Sequence, residues 1–519
     1  MSQSYATPVS AAPAPFARST AKLHQMHEHL SSPGTLRAEH AEVEAYLKID
    51  GRELLRVLFE EYLEMLACAE QRTSVTDADG IERTEARVGE RGLETIFGEV
   101  DASRLLYQAR GCAALAPLDA LLNMPTDHYS HGVRQMVAKE TARASFDEVA
   151  ELIRDYSGAE IAKRQIEQLA ARAASDFDAF YELRQRERQA TTDLLVISTD
   201  GKGVVMRQED LREATRKRAE ASANKVETRL SPGEKADRKR IAQVCTVYSV
   251  ERWHRNVADV LHTLRDENTE SKRPRPTDKR VWASVVKDYR TMIRQAFEEA
   301  LRRDPDRRRR WVVLVDGDAK QVKAVKAEAK RAGVAVTIIV DIVHVLEYVW
   351  LAGRAIFGGT TRETESWVGH RLLALLTGRS GGDVARTIRW WARSRRDQIN
   401  AAGRKAIKKA CGYLANRTRT RMMRYAEALR DGLPIATGVI EGACRYLVKD
   451  RMDRTGACWS LDGAEAVLRL RAVRASGDFG EYWRFHLHQE KTRNHAARYA
   501  HAEIPDPLPA RKRHLRRIK

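Results

Sequence analysis

The sequence predicts a multidomain chain that mixes the α+β and α/β classes, and three observations carry that prediction. Between residues 191 and 341, apolar strand-like runs alternate with helical ones, the pattern of an α/β sheet with parallel members. Upstream, an amphipathic stretch, a run of short strand candidates and a helical block follow one another. Downstream, residues 362–432 and 438–500 are rich in helix-forming and basic residues. A chain of 519 residues has room for roughly two to four domains and a large core.

The elements read as follows. "MSQSYATPVSAAPAPFARST" is rich in Ala, Pro and Ser and free of acids, so residues 1–35 are expected to be a disordered leader, with a transit peptide as the alternative. Residues 36–128 combine an amphipathic helix over 51–70 with short strands and turns over 78–108. Residues 129–189 are helical and contain "SFDEVAELIRDYSGAEIAKRQIEQLAAR" (145–172). There, Phe146, Val149, Leu152 and Ile153 face inward, a turn falls at Ser157-Gly158, and Lys163, Arg164 and Gln165 face outward on a second helix. That is a helix-turn-helix pattern whose second helix suits a major groove, although plain helical packing produces the same pattern.

From residue 191, "TTDLLVISTDGKGV" is a strand expected to end at Asp200-Gly201, and "VCTVYSV" (244–250) is a second strand. Residues 207–240 between them read as a charged helix and a loop, and 267–280 as a loop. A helix is expected over 281–303, a strand ending at Asp316-Gly317, a helix over 321–333 and a strand over 334–341. Residues 501–519 read as a basic disordered tail.

Composition narrows the function. The 91 Lys and Arg against 72 Asp and Glu leave a net charge of +19, which suits a polyanionic partner. The most apolar run, 334–353, carries Asp341, His344 and Glu347, which argues against a membrane span. Six scattered cysteines without a CxxC pair argue against a disulfide framework or zinc knuckle and fit a reducing, cytoplasmic setting.

Three carboxylates stand out. Asp200 and Asp316 each close an apolar strand, where α/β folds build sites, although Asp-Gly is also a common turn dipeptide. Glu441, in "GVIEGACRYLVKDRM" (438–452), shares a helix face with Arg445 and Lys449, and Ile440, Cys444, Leu447 and Val448 form the adjacent apolar face. Arg451 falls on the apolar side and calls for a buried partner or an early helix end. Three converging carboxylates suit two Mg²⁺ ions and phosphodiester displacement, with Arg445, Lys449 and Arg451 as candidate DNA-binding cations.

The order of these motifs resembles DDE transposases with a ribonuclease-H-like fold. More narrowly, "TDGKGVVMR", "VLVDGDAKQ", "DIVHVLEYVW" and "IATGVIEGACRYLVKDRMDRTGACWSLDGAEAVLRLRA" resemble the ISKra-type transposases of bacterial insertion sequences, as do "GLETIFGEV", "YSHGVRQMVAKETARASFDE" and "GDFGEYWRFHLHQE". The likeness spans most of residues 50–495. It implies a ribonuclease-H-like catalytic domain, a mixed sheet flanked by helices, over 190–361. A helical insertion (362–432) would interrupt it, and its final helices (433–500) would carry the Glu. Asp200, Asp316 and Glu441 become the catalytic, metal-binding triad for Mg²⁺, or Mn²⁺ in its place. The implied partners are transposon terminal inverted repeats, target DNA and further copies of the chain, with no membrane, in a bacterial cytoplasm at the nucleoid.

Asp341 and His344 form a DxxH motif to which a structural or supporting role is assigned, a helix cap being the simplest. The insertion's Trp367, Trp390 and Trp391 are expected to pack in the core, stacking on a flipped base being the alternative. Two other functions compete with the transposase: a DxD-type phosphatase using Asp316 and Asp318, and a non-catalytic DNA-binding protein derived from a transposase.

Overall fold

The structure is a computed structural model, and it describes residues 15–184, 191–221, 237–264, 273–418, 420–454 and 456–509. The chain divides into two compact units, residues 1–180 with 479–519, and residues 181–478. Residues 479–500, grouped above with the final catalytic helices, thus belong to the first unit.

In the first unit, β1 (Glu85–Thr95) and β2 (Gly98–Gln108) form an antiparallel hairpin. Leu93, Val100 and Ala102 alternate onto one face and bury against Leu63 of the helix His40–Ala69. The expected disorder of residues 1–35 gives way to a helix, Ala17–Ser31, over part of that range. Its opening N–H groups are satisfied from far along the chain: the backbone N–H groups of Arg18 and Ser19 donate to Glu61 at 2.7 and 3.0 Å. At the other terminus, Gln71 N–H donates to Pro507 O at 2.7 Å, so the expected disordered tail is anchored that far, and residues 510–519 lie outside the described residues.

The helix-turn-helix pattern folds as two helices, Phe146–Ser157 and Lys163–Ala173. Ser145 and Glu148 form a capping box at the start of the first, and Gly158 ends it at φ +77°, a left-handed geometry that favours glycine. Val149, Ile153 and Ile166 are fully buried, while Lys163 and Arg164 are exposed.

The second unit is built on a five-stranded mixed sheet in the order β5-β4-β3-β6-β7. Its strands are β3 (Leu194–Val205), β4 (Lys239–Val250), β5 (Thr277–Ser284), β6 (Trp311–Val315) and β7 (Val336–Val340). β4 is antiparallel to both β3 and β5, whereas β6 is parallel to both β3 and β7. Leu194, Leu195, Val196 and Ile197 are all fully buried. Successive strand residues face opposite sides, so helices cover both faces of the sheet here.

Two sequence expectations change. β3 does not stop at Asp200-Gly201, because β4 keeps pairing with it as far as Val205↔Lys239, well past the last partner on β6. Residues 277–284, divided between an expected loop and an expected helix, are the edge strand β5; the helix starts only at Tyr289, capped by Asp288. The β-branched and aromatic run Val281-Trp282 is the signal the helical reading passed over. The charged stretch 207–240 yields a helix at Glu213–Glu220, and its expected loop lies outside the described residues, as do residues 265–272.

Residues 362–432, expected to be a helical insertion, hold the helices Arg362–Leu376, Gly381–Ser394, Ala401–Thr418 and Tyr425–Arg430. Trp367 is buried there, as core packing requires, and Trp391 is half-buried against Phe357. Trp390 departs from the expectation, with 62% of its surface exposed.

Candidate active site

Register alone lines up three aspartates. β3 pairs with β6 through Ser198↔Leu314, and β6 with β7 through Val315↔Val340. Continuing those registers places Asp200 opposite Asp316 and Asp316 opposite Asp341, one carboxylate from each of three adjacent parallel strands. Asp200 therefore lies within β3, at the point where β3 outlasts its parallel neighbour, and not in a turn.

Each carboxylate has its own fixings. Asp200 accepts from Gly201 N–H at 2.6 Å and from the Cys444 thiol at 3.3 Å. Asp316 accepts from Asp318 N–H at 2.7 Å. The chain then turns at Gly317, φ +87°, where a Cβ would lie 3.1 Å from Arg417 Nε and 3.2 Å from Tyr413 Oη. Both of those groups hold the turn from the insertion: the Tyr413 hydroxyl donates to Asp316 O at 2.6 Å, and the Arg417 guanidinium donates to Gly317 O. Asp318 caps the helix Ala319–Ala332, its Oδ1 accepting from Lys320 N–H and Gln321 N–H.

Asp341 is buried and caps the helix Ile342–Phe357 through Val343 N–H at 2.8 Å. Its other oxygen accepts from the hydroxyl and the N–H of Thr437, the residue that opens the helix Gly438–Ala443. Asp341 thereby ties the end of β7 to the helix that carries Glu441. Its carboxyl is pushed up to about 6, first by burial and then by the charge of Glu441, against the opposing Val343 hydrogen bond. His344 is partly exposed beside Glu347, at 3.3 Å, and near the rings of Tyr348 and Tyr413.

Glu441 is exposed, on a helix that packs over β3 and β4. The helix continues into a π-helical segment, Cys444–Lys449, where the wider turn departs from an even α-helical wheel. Arg471 meets this segment by donating to Tyr446 O and, at 2.8 Å, to Leu447 O. Cys444 and Val448 face inward; Arg445 and Lys449 remain exposed, with Arg445 at 3.8 Å from Asp450. Arg451 does not join them. It is 3% exposed, and its guanidinium stacks over the Trp459 ring at 4.7 Å, which supplies the buried partner its wheel position called for and removes it from any DNA-facing edge. In the first unit, Lys163 is exposed but paired with Asp147 at 2.6 Å.

Among the described residues, Asp200, Asp316, Asp341 and Glu441 form no ion pair with a Lys or Arg. Nor do any three His, Cys, Asp or Glu side chains among the described residues form a group that could hold a metal ion. The donor chemistry fits a hard divalent cation, being carboxylate oxygen throughout, and backbone register brings Asp200 and Asp316 to one edge. Thr437, Cys444, Tyr413 and Arg417 escaped the sequence reading, because each acts across about a hundred residues or more and leaves no local pattern. No described helix is long and apolar enough to cross a membrane. Comparison with models of known protein families and with curated protein sequences found no match for this chain.

Proposed function

We propose that the chain is a DDE-type transposase, cleaving the phosphodiester at transposon ends and joining the freed 3′-hydroxyl to target DNA. One observation carries this reading: Asp200 and Asp316 at adjoining parallel strands, with the Glu441 helix packed on the same strand β3, and no Lys or Arg among the described residues paired to any of the three. The strand order, with antiparallel β4 and β5 on one side of β3 and parallel β6 and β7 on the other, is compatible with a ribonuclease-H-like fold.

Asp200, Asp316 and Glu441 would hold Mg²⁺ or Mn²⁺, two ions in the working site. Bound there, the metal supplies Lewis acidity for the attacking and leaving oxygens. The chain's own groups orient the parts: Cys444 fixes one oxygen of Asp200, Tyr413 and Arg417 hold the Asp316 turn, and Asp341 with Thr437 sets the start of the Glu441 helix. Arg445 and Lys449 extend from Glu441 as exposed cations for phosphates. The exposed Lys163 and Arg164 belong to the helix that would enter a major groove of the terminal inverted repeats, with the chain acting as a dimer or higher oligomer on DNA in the bacterial cytoplasm.

The phosphatase reading leaves Asp200 and Glu441 without a role, and one oxygen of Asp318 is already engaged in capping a helix. With labelled DNA carrying the ends that flank the gene, Mg²⁺-dependent cleavage is expected from the wild type. Phosphate release from a small ester that survives Glu441→Gln would instead favour the phosphatase.

A further inference from the structure

The insertion contains a groove that the three carboxylates do not use. It lies between the helices Gly381–Ser394 and Ala401–Thr418 and has a volume of about 700 Å³. Its floor is apolar, formed by Ala392, Ile399, Ile407, Cys411 and Gly412. Its rim is cationic, with Arg389, Arg393, Arg396, Arg404 and Lys408 and no acidic side chain. Arg404 donates to Ile399 O at 2.6 Å; none of the five forms an ion pair among the described residues. Arg395, just outside the groove, pairs with Glu363 at 2.8 Å, so cations here find acids where acids are in reach. Residues 381–421 hold twelve Lys and Arg against two Asp.

We infer that this groove binds an unpaired nucleic-acid strand, phosphates on the rim and bases on the apolar floor. A charged rim alone would suit any polyanion, duplex DNA included. The apolar floor decides between them, because a duplex keeps its base faces inside the stack, whereas an unpaired strand offers apolar base faces and phosphates together. Trp390, exposed one turn before Arg393 on the same helix, adds an aromatic surface beside the rim.

The test uses the full chain and two fluorescein-labelled strands of equal charge, each about 12 nucleotides long: oligodeoxythymidylate and its abasic counterpart. Fluorescence anisotropy is expected to show the thymidylate strand binding at least about tenfold more tightly, since stacking adds to phosphate contact. Arg393→Glu with Arg396→Glu should weaken both strands. Gly412→Leu should erase the preference while leaving abasic binding nearly unchanged, because a Cβ at Gly412 meets nothing within 4 Å and the added side chain projects into open space. Ala392→Leu, on the facing helix, gives the same reading if Gly412→Leu fails to fold. Equal affinity for the two strands, or a preference that survives both floor substitutions, overturns the proposal. Asp316→Asn should leave the preference intact, so failure of the cleavage reading and failure of the groove are separable.

Discussion

Two sets of carboxylates in this chain are treated in opposite ways. In the first unit, Glu490 receives both guanidinium nitrogens of Arg134, and Asp176 is held by His486 at 2.7 Å and Arg493 at 3.0 Å. Burial works to raise both carboxyls, and the partners outweigh it, so both titrate below their ordinary values. In the second unit, Asp200, Asp316 and Asp341 line adjoining strands with Glu441 nearby, and no Arg or Lys is paired to them among the described residues. Burial pushes the carboxyl of Asp341 the other way, above its ordinary value. The two carboxylates of the first unit are held by cations within the fold, whereas the four of the second unit are held, where they are held at all, by hydroxyl, thiol and backbone donors.

Substitutions should break this comparison in opposite directions. Asp200→Asn, Asp316→Asn and Glu441→Gln should each reduce DNA cleavage by at least about 10²–10³-fold, a loss of the size seen when one charge-stabilising group is removed. Thermal melting of these variants should be unchanged or slightly higher. Glu490→Gln should do the reverse, costing about 3–5 kcal/mol by leaving Arg134 buried beside a neutral partner, measured by chemical denaturation.

The pH dependence separates the two sets by sign. Asp341, raised from 3.8 to about 6, binds more protons folded than unfolded between those values, so its contribution to stability falls as pH rises through that window. The stability of Asp341→Asn relative to wild type should therefore rise by about 2 kcal/mol between pH 4 and pH 7. Glu490, lowered from 4.5, acts oppositely: its stabilisation is present above that value and is lost as pH falls through its lower folded pKa. Arg471→Ala should cost about 2 kcal/mol by leaving the carbonyls of Tyr446 and Leu447 without their charged donor. The smallest effect belongs to Lys163→Ala. Its exposed pair with Asp147 should be worth less than about 1 kcal/mol, while affinity for the inverted repeats should fall several-fold at low salt.

The sheet was legible where apolar runs were short and ended in Asp-Gly, as at β6, or alternated with helices, as at β7. It was illegible where pairing runs past a local stop signal, as at β3, which continues through Asp200-Gly201 beside β4, and where a short strand signal lay inside a longer helical reading, as at β5. The same limit applies to the helix Ala17–Ser31, which is capped from Glu61. Of the candidate site, Asp200 and Asp316 were legible as carboxylates at the ends of apolar runs and Glu441 as one on an amphipathic helix. The alignment of Asp341 with them, and the thiol of Cys444 on Asp200, depend on contacts between segments far apart in sequence. Arg451 is buried, as its place on the apolar side of an even wheel implied, but its partner Trp459 left no sign in the wheel.

The central claim is that Asp200, Asp316 and Glu441 act together on one phosphodiester. The most direct measurement is single-turnover cleavage of end-labelled DNA from the gene's flanks, in Mg²⁺, by the wild type and the three single variants, with DNA binding recorded in parallel. The account predicts cleavage by the wild type alone and binding by all four proteins. Full cleavage by any one variant would contradict it.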